Sequence, residues 1–340
     1  MGGNALKGKN TFTRRYQRDE YDALEQEVFA IVRKTFKRCD TPRFFASKES
    51  FGDMDLIVSM EGHEVVSDGK YGFVRTYIEE TFKPNEIFHN GHCYSFDYKE
   101  LQIDFMVVPP EDYDSNYHYL AFNDLGNFIG RIAQSMGLKY GQEGLWYNHF
   151  HNDQKIGKIM ISKDYPKIFK FLGLSYEKWV EGFDSLEEIF EYIIQSPNFD
   201  SELYQMSNLN KINRERNLKR KSYMSFLDYI AQNHPNVFGP EQNKGKILKE
   251  ASTFFDCDVF TEIKRFEYEH AESAYAKSKF NGGMVMRKYG LKGKELGIAM
   301  DNFKEVVERQ QGDYKQFIIN SSMGRIYCLF DNVMRYNENK

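Results

Sequence analysis

Three aspartates stand in two short apolar runs. Residues 52–58 read Gly52-Asp53-Met54-Asp55-Leu56-Ile57-Val58, and residues 101–108 read Leu101-Gln102-Ile103-Asp104-Phe105-Met106-Val107-Val108. Alternate side chains of a β-strand share a face, so Asp53 and Asp55 point the same way. If the second run pairs beside the first, Asp104 joins them. Three carboxylates at that spacing repel one another, and a cation between them makes the cluster tolerable. A few hard oxygen ligands suit Mg²⁺, which keeps waters and takes its remaining ligands from substrate phosphates; Mn²⁺ is a ready substitute. The implied chemistry is phosphoryl or nucleotidyl transfer on two metal ions, with Asp53, Asp55 and Asp104 as metal ligands and catalytic residues.

Positioning these residues takes a sheet with helices against it. Apolar Tyr21, Leu24, Val28, Ile31, Val32 and Phe36 recur at helical spacing and predict a helix over 18–37. A second helix is expected at 71–82, then strands at 86–90, 93–98 and 101–108, with Pro109-Pro110 ending the sheet. A helix over 124–136 would start at Asn123 or Asp124, both good caps. Beyond residue 165 the pattern is helical, with helices expected at 165–172, 185–195, 211–232, 242–277 and 295–309 and breaks at Pro197, Pro235 and Gly239-Pro240. The expected class is α+β: a mixed sheet with helices, followed by a mainly helical C-terminal region. The expected divisions are 1–115, 116–200 and 201–340.

The segment Lys48-Glu49-Ser50-Phe51-Gly52-Asp53-Met54-Asp55 resembles the palm motif of the polymerase beta (family X) nucleotidyltransferases. Ile103-Asp104-Phe105-Met106-Val107-Val108-Pro109, followed by Asp112-Tyr113, is similar to that family's third-aspartate strand. Tyr119-Leu120-Ala121-Phe122-Asn123-Asp124-Leu125-Gly126-Asn127 resembles its Tyr-Phe turn and following helix, and Gly137-Leu138-Lys139-Tyr140-Gly141-Gln142-Glu143-Gly144-Leu145 its thumb hairpin. The likeness covers roughly residues 43–147 and rests on several elements in the right order. It implies a nucleotidyltransferase palm over 1–115, a thumb-like nucleotide-contact region over 116–200, and nucleotide contacts from Asp124 and Asn127. One departure concerns phosphate: the family's Gly-Ser is absent, and Thr41-Pro42-Arg43-Phe44-Phe45-Ala46-Ser47 stands in its place. Ser47, Lys48, Ser50 and Gly52 are then the expected nucleotide-binding residues, with Gly2 and Gly3 as further candidates for close backbone approach. Phe122 replaces a family glycine beside the sugar, so ribose and deoxyribose both stay open.

At 340 residues the chain has room for two or three domains. A net charge of −4 excludes a surface dominated by nucleic-acid contacts, so any such surface is local. Two segments qualify. Residues 211–221 carry six cations and one acid, among them Arg214, Arg216, Lys219, Arg220 and Lys221, and such a stripe can track a phosphate backbone. A solvated helix face is the competing reading. Residues 280–297 repeat glycine before a helix and resemble the small C-terminal module of tRNA nucleotidyltransferases and poly(A) polymerases. Gly293 and Lys294 would there offer a helix N-terminus to phosphate; a helical hairpin that only packs competes with this. Four scattered cysteines argue against a disulfide framework or a zinc finger and for a reducing, cytoplasmic setting. No apolar run is long enough to span a membrane. His89, His92, His149 and His151 have no Cys or acidic partner at ligand spacing, so zinc is not expected.

The expected activity is transfer of a nucleoside monophosphate from an NTP to the 3′ hydroxyl of a polynucleotide, with RNA favoured and tRNA 3′-end addition as the sharpest version. Two alternatives remain: a minimal family X DNA polymerase in repair, and transfer of a nucleotide to a protein or small molecule.

Overall fold

The computed structural model describes residues 5–7, 11–63 and 72–338, the last three through their backbone alone. Gly2 and Gly3 lie outside the described residues. The chain divides into two compact units, Met1–Tyr147 with Met160–Cys257, and Asn148–Ile159 with Asp258–Lys340.

The first unit is built on a mixed five-stranded sheet. Its strands are β2 (Cys39–Asp40), β4 (Asp53–Ser59), β5 (Ile87–Asn90), β6 (Cys93–Tyr98) and β7 (Leu101–Val108), in the order β2-β4-β7-β6-β5. β4 and β7 run parallel at its centre, and the other neighbours are antiparallel. A two-stranded ribbon of β1 (Tyr16–Gln17) and β3 (Ser50–Phe51) stands beside it.

Side-chain alternation divides the two central strands cleanly. Met54, Leu56 and Val58 of β4 and Ile103, Phe105 and Val107 of β7 are buried on one face. They form a core with Tyr21, Leu24, Val28 and Val32 of α1 (Arg18–Val32) and Val74, Ile78 and Phe82 of α2 (Phe73–Phe82). The opposite face carries Asp53, Asp55 and Ile57 from β4 and Gln102, Asp104, Met106 and Val108 from β7. Its apolar end packs on Tyr113 of α3 (Tyr113–Leu120). Its acidic end is left to the site.

The rest of the first unit is α4 (Leu125–Ser135), β8 (Lys139–Gly141) and helices α5 (Tyr165–Phe171), α6 (Tyr176–Glu181), α7 (Leu186–Ile194), α8 (Lys211–Asn217), α9 (Lys221–Asn233) and α10 (Lys244–Phe254). The hairpin of β9 (Gly144–His151) and β10 (Gln154–Ser162) is divided: its base, up to Tyr147 and from Met160, belongs to the first unit, and residues 148–159 belong to the second. The turn between α3 and α4 is tight. Gly126 faces the Tyr119 carbonyl so closely that a Cβ there would lie 2.0 Å from its oxygen, so only glycine fits.

The second unit contains α11 (Val259–Lys279), α12 (Gly282–Tyr289), α13 (Gly293–Gln311), α14 (Tyr314–Asn320) and α15 (Met323–Glu338), closed around Phe280, Phe303, Ile318, Ile326 and Phe330. The expected glycines ahead of a helix are present here, after the short α12: Gly290 and Gly293 take positive φ (74° and 52°) between α12 and α13.

Two expected helices are each broken. The span 211–232 stops at Asn217 and restarts at Lys221, because Arg220 turns extended. The span 242–277 breaks after Phe254: Asp256 takes a positive φ, and Asp258 caps α11 by accepting from the Thr261 N–H. Among the described residues no helix is long and apolar enough to cross a membrane.

Candidate metal centre

The parallel pairing of β4 and β7 sets Asp55 directly opposite Asp104 and Asp53 opposite Gln102. One ligand oxygen from each of Asp53, Asp55 and Asp104 lies within 4.8 Å of the others. The strands thus do what alternation required, and the register supplies the third acid.

The cluster is electrostatically costly as it stands. Burial raises the Asp55 carboxyl well above its usual range, and the charges of Asp53 and Asp104 raise it further; Lys48 opposes them. Burial, then Asp53, pushes Asp104 up to about 6, against hydrogen bonds from Ser95 and Gln102 that favour its ionised form. Lys48 is lowered by its own burial, although Asp53 and Asp55 pull the other way. Its ammonium stands 4.5 Å from the Phe51 ring centroid. Three converging carboxylates, with Asp55 and Asp104 resisting ionisation, fit a hard cation: the oxygen donors are right, and a divalent ion would relieve the repulsion. The cluster could therefore hold a metal ion, and among the described residues it is the one group of three or more acidic, His or Cys side chains arranged to do so.

A polar cleft of about 560 Å³ opens over Asp53 and Asp55. Ser47, Lys48, Ser50 and Gly52 all line it, as expected from the sequence. The start of this segment has its backbone committed: the Ala46 N–H donates to Phe183 O and the Ser47 N–H to Asp184 O, both at 2.8 Å. Arg15, which no local pattern singles out, is held at the cleft wall by Ser50, donating from Nη2 to its carbonyl at 2.8 Å and to Oγ at 3.0 Å.

Asp124 lines the same cleft but makes no cap bond to α4. Its carboxylate pairs with Arg220 and accepts from the Ser222 hydroxyl. Arg220 therefore stands in the cleft wall, apart from an exposed stripe, and the break between α8 and α9 brings it there. Asn127 does not line the cleft; its Nδ2 donates to Asn217 Oδ1 at 3.4 Å. Arg214 is exposed, with its guanidinium donating to the Met206 and Leu209 carbonyls. Arg216, Lys219 and Lys221 are exposed. Gly293 and Lys294 belong to the second unit, where Gly293 opens α13.

The histidines find partners invisible at sequence spacing. Within the second unit, Glu267 of α11 accepts from His149 Nε2 at 2.6 Å and from His151 Nδ1 at 3.1 Å. Their carboxylate partner is thus 118 residues from His149 along the chain. Gln102 and Ser95, the partners of Asp104, are likewise absent from the sequence-based expectations. Gln102 could have been found, since it lies two residues before Asp104 on the same strand face.

No protein-family model matches this chain, and no curated protein matches it either.

Proposed function

We propose that this chain is a metal-dependent nucleotidyltransferase that transfers a nucleoside monophosphate from an NTP to a 3′ hydroxyl and releases pyrophosphate. The observation that carries this reading is the set of three carboxylates gathered on one sheet face, beside a polar cleft with cations in its wall.

In this reading Asp53 and Asp55 would hold two Mg²⁺ ions, and Asp104 would help hold one of them. When bound, Mg²⁺ supplies neutralisation of the phosphate oxygens and activation of the attacking hydroxyl. Arg15 and Lys48 face the triphosphate. Ser47 adds a hydroxyl donor. Asp104 would take the proton of the attacking hydroxyl. The 3′ oxygen forms a bond to the α-phosphorus as the bond to the bridging oxygen breaks, and the electron pair leaves with pyrophosphate. The Asp124–Arg220 pair shapes the remaining wall, where the base and sugar would lie.

The acceptor in this reading is an RNA 3′ end, with tRNA as the sharpest version. Exposed Arg216, Lys219 and Lys221 are available to its phosphates, and so is the glycine turn ahead of α13. The test is to incubate the protein with Mg²⁺ and each labelled NTP or dNTP in turn, offering tRNA, single-stranded RNA, primer-template DNA or no acceptor. Label on an RNA 3′ end supports the proposal. Label on primer-template DNA alone points to a repair polymerase, and label on the protein or on a small molecule to the third alternative. No incorporation with any acceptor overturns nucleotidyl transfer.

A further inference from the structure

We propose that residues 5–7 are a working part of the acidic site: they set the side-chain amide of Gln102, and Gln102 in turn fixes the carboxylate of Asp104. The Ala5 N–H and the Leu6 N–H both donate to Gln102 Oε1, at 3.0 and 3.3 Å. At its other end, Gln102 Nε2 donates to Asp104 Oδ1 at 2.8 Å. A glutamine amide has one accepting end and one donating end. With two N–H groups at the first, only the NH₂ is left for the carboxylate. Reversing the amide would set Oε1 against Asp104 and NH₂ against two donors, losing all three bonds together.

The middle of the arrangement is buried, and its two ends, Ala5 and Asp104, are half-buried. Gln102 and Leu6 are each 1% exposed, so water cannot readily replace a missing partner. Gln102 lies opposite Asp53 in the strand register, so its amide is wedged between the N-terminal segment and the acid cluster. Ser95, paired with Asp104 from β6, supports the same carboxylate from the other side. Gln102 is thus a positioning residue, and the segment that orients it lies about a hundred residues away in sequence. What the aligned carboxylate then does rests on the nucleotidyl-transfer reading; the alignment does not.

The test uses the full chain, a variant lacking residues 2–7, Gln102→Leu, the two combined, and Ala5→Pro, which removes one N–H donor while keeping Gln102. Two readouts are taken. In spectra of protein labelled with ¹⁵N at glutamine, the side-chain signal that Gln102→Leu deletes should shift on removal of residues 2–7, on Ala5→Pro and on Asp104→Asn. By calorimetry, removal of residues 2–7 and Gln102→Leu should each weaken Mn²⁺ binding by roughly 10- to 100-fold, as for other groups that orient a metal ligand. The combined variant should be no weaker than either alone, because both act by one route. A Gln102 signal unmoved by Ala5→Pro and by removal of residues 2–7 overturns the proposal, as do two losses that multiply. If the full chain shows no Mn²⁺ binding that depends on Asp55, the nucleotidyl-transfer reading fails, and the spectra alone then decide for or against the link.

Discussion

On α11 of the second unit, Arg265 reaches Glu262 at 2.6 Å and Glu269 at 2.7 Å, and Lys315 of α14 reaches Glu272 at 3.0 Å. Each of these charges has an opposite partner nearby. The sheet of the first unit is built the other way. Asp53, Asp55 and Asp104 are brought together by strand register, and burial and mutual charge push the carboxyls of Asp55 and Asp104 up. Helix faces can spread charge into i,i+4 pairs. A parallel pair of strands with acids at matching positions cannot. The sheet therefore holds an unfavourable charge cluster that the apolar face behind it can afford, and such clusters are where function concentrates.

The strongest way to break this comparison is Asp55→Asn. The amide keeps the shape but not the charge that two divalent ions require. Transfer should fall more than tenfold, a barrier increase above about 1.4 kcal/mol, while the fold is retained and the metal-free protein melts no lower than the parent. A purified variant that keeps over a tenth of the parent rate removes Asp55 from the metal site. Asp104→Ala should behave differently, still binding NTP with Mg²⁺ but failing in turnover.

Next in size is Arg220→Gln. Asp124 is nearly buried, and without the guanidinium only Ser222 would remain to serve its charge. A buried acceptor losing its partner costs roughly 1–3 kcal/mol. Denaturant midpoints should drop accordingly at unchanged slope. Adding Asp124→Asn should recover part of the loss, and equal stability of Arg220→Gln and parent would mean that the pair does not hold the cleft wall.

These two sites also mark what could be read in the chain beforehand. Asp53 and Asp55 were legible because strand alternation is a local rule, and Asp104 because its own run had strand character. The α+β class followed from the same periodicities. Asp124, by contrast, read as a helix cap and a nucleotide contact. Its partner Arg220 lies 96 residues on, in a stripe whose composition suggested an exposed helix face. The helix break at Leu218–Arg220 that redirects it has no glycine or proline to announce it. Arg15 reaches the cleft from just ahead of a strand of two residues, too short to leave a periodic signal. Pairings set by tertiary folding leave no mark on local spacing.

A smaller effect separates the metal-free site from ordinary surface carboxylates. The Asp104 carboxyl stands at about 6 when folded, above its ordinary 3.8. A raised carboxyl stabilises the fold below its ordinary value, and that contribution is lost as pH rises through the folded value. Without metal, Asp104→Asn should therefore be more stable than the parent at pH 7.5, and the gap should close by about pH 4. Mg²⁺ at pH 7.5 should raise the melting temperature of the parent more than that of the variant. A gap that is constant across pH would separate the Asp104 charge from stability.

The smallest effect concerns the exposed cations. Arg216 and Lys219 lie on the surface, whereas Arg220 belongs to the cleft and has to be left intact in this test. Replacing Arg216 and Lys219 with Gln should change stability by less than about 0.5 kcal/mol, as usual for surface positions. If they neutralise phosphates, polynucleotide affinity should fall, and its log–log dependence on salt should flatten by about 0.7 for each single-strand phosphate left without its cation. Binding of NTP with Mg²⁺ should be unaltered, since neither residue lines the cleft. Affinities for tRNA and primer-template DNA at several salt concentrations decide the matter. Unchanged affinity and slope for both would reduce the stripe to a solvated helix face, with its charges as idle as the paired ones on α11. A larger loss for DNA than for tRNA would favour the repair polymerase over the RNA reading.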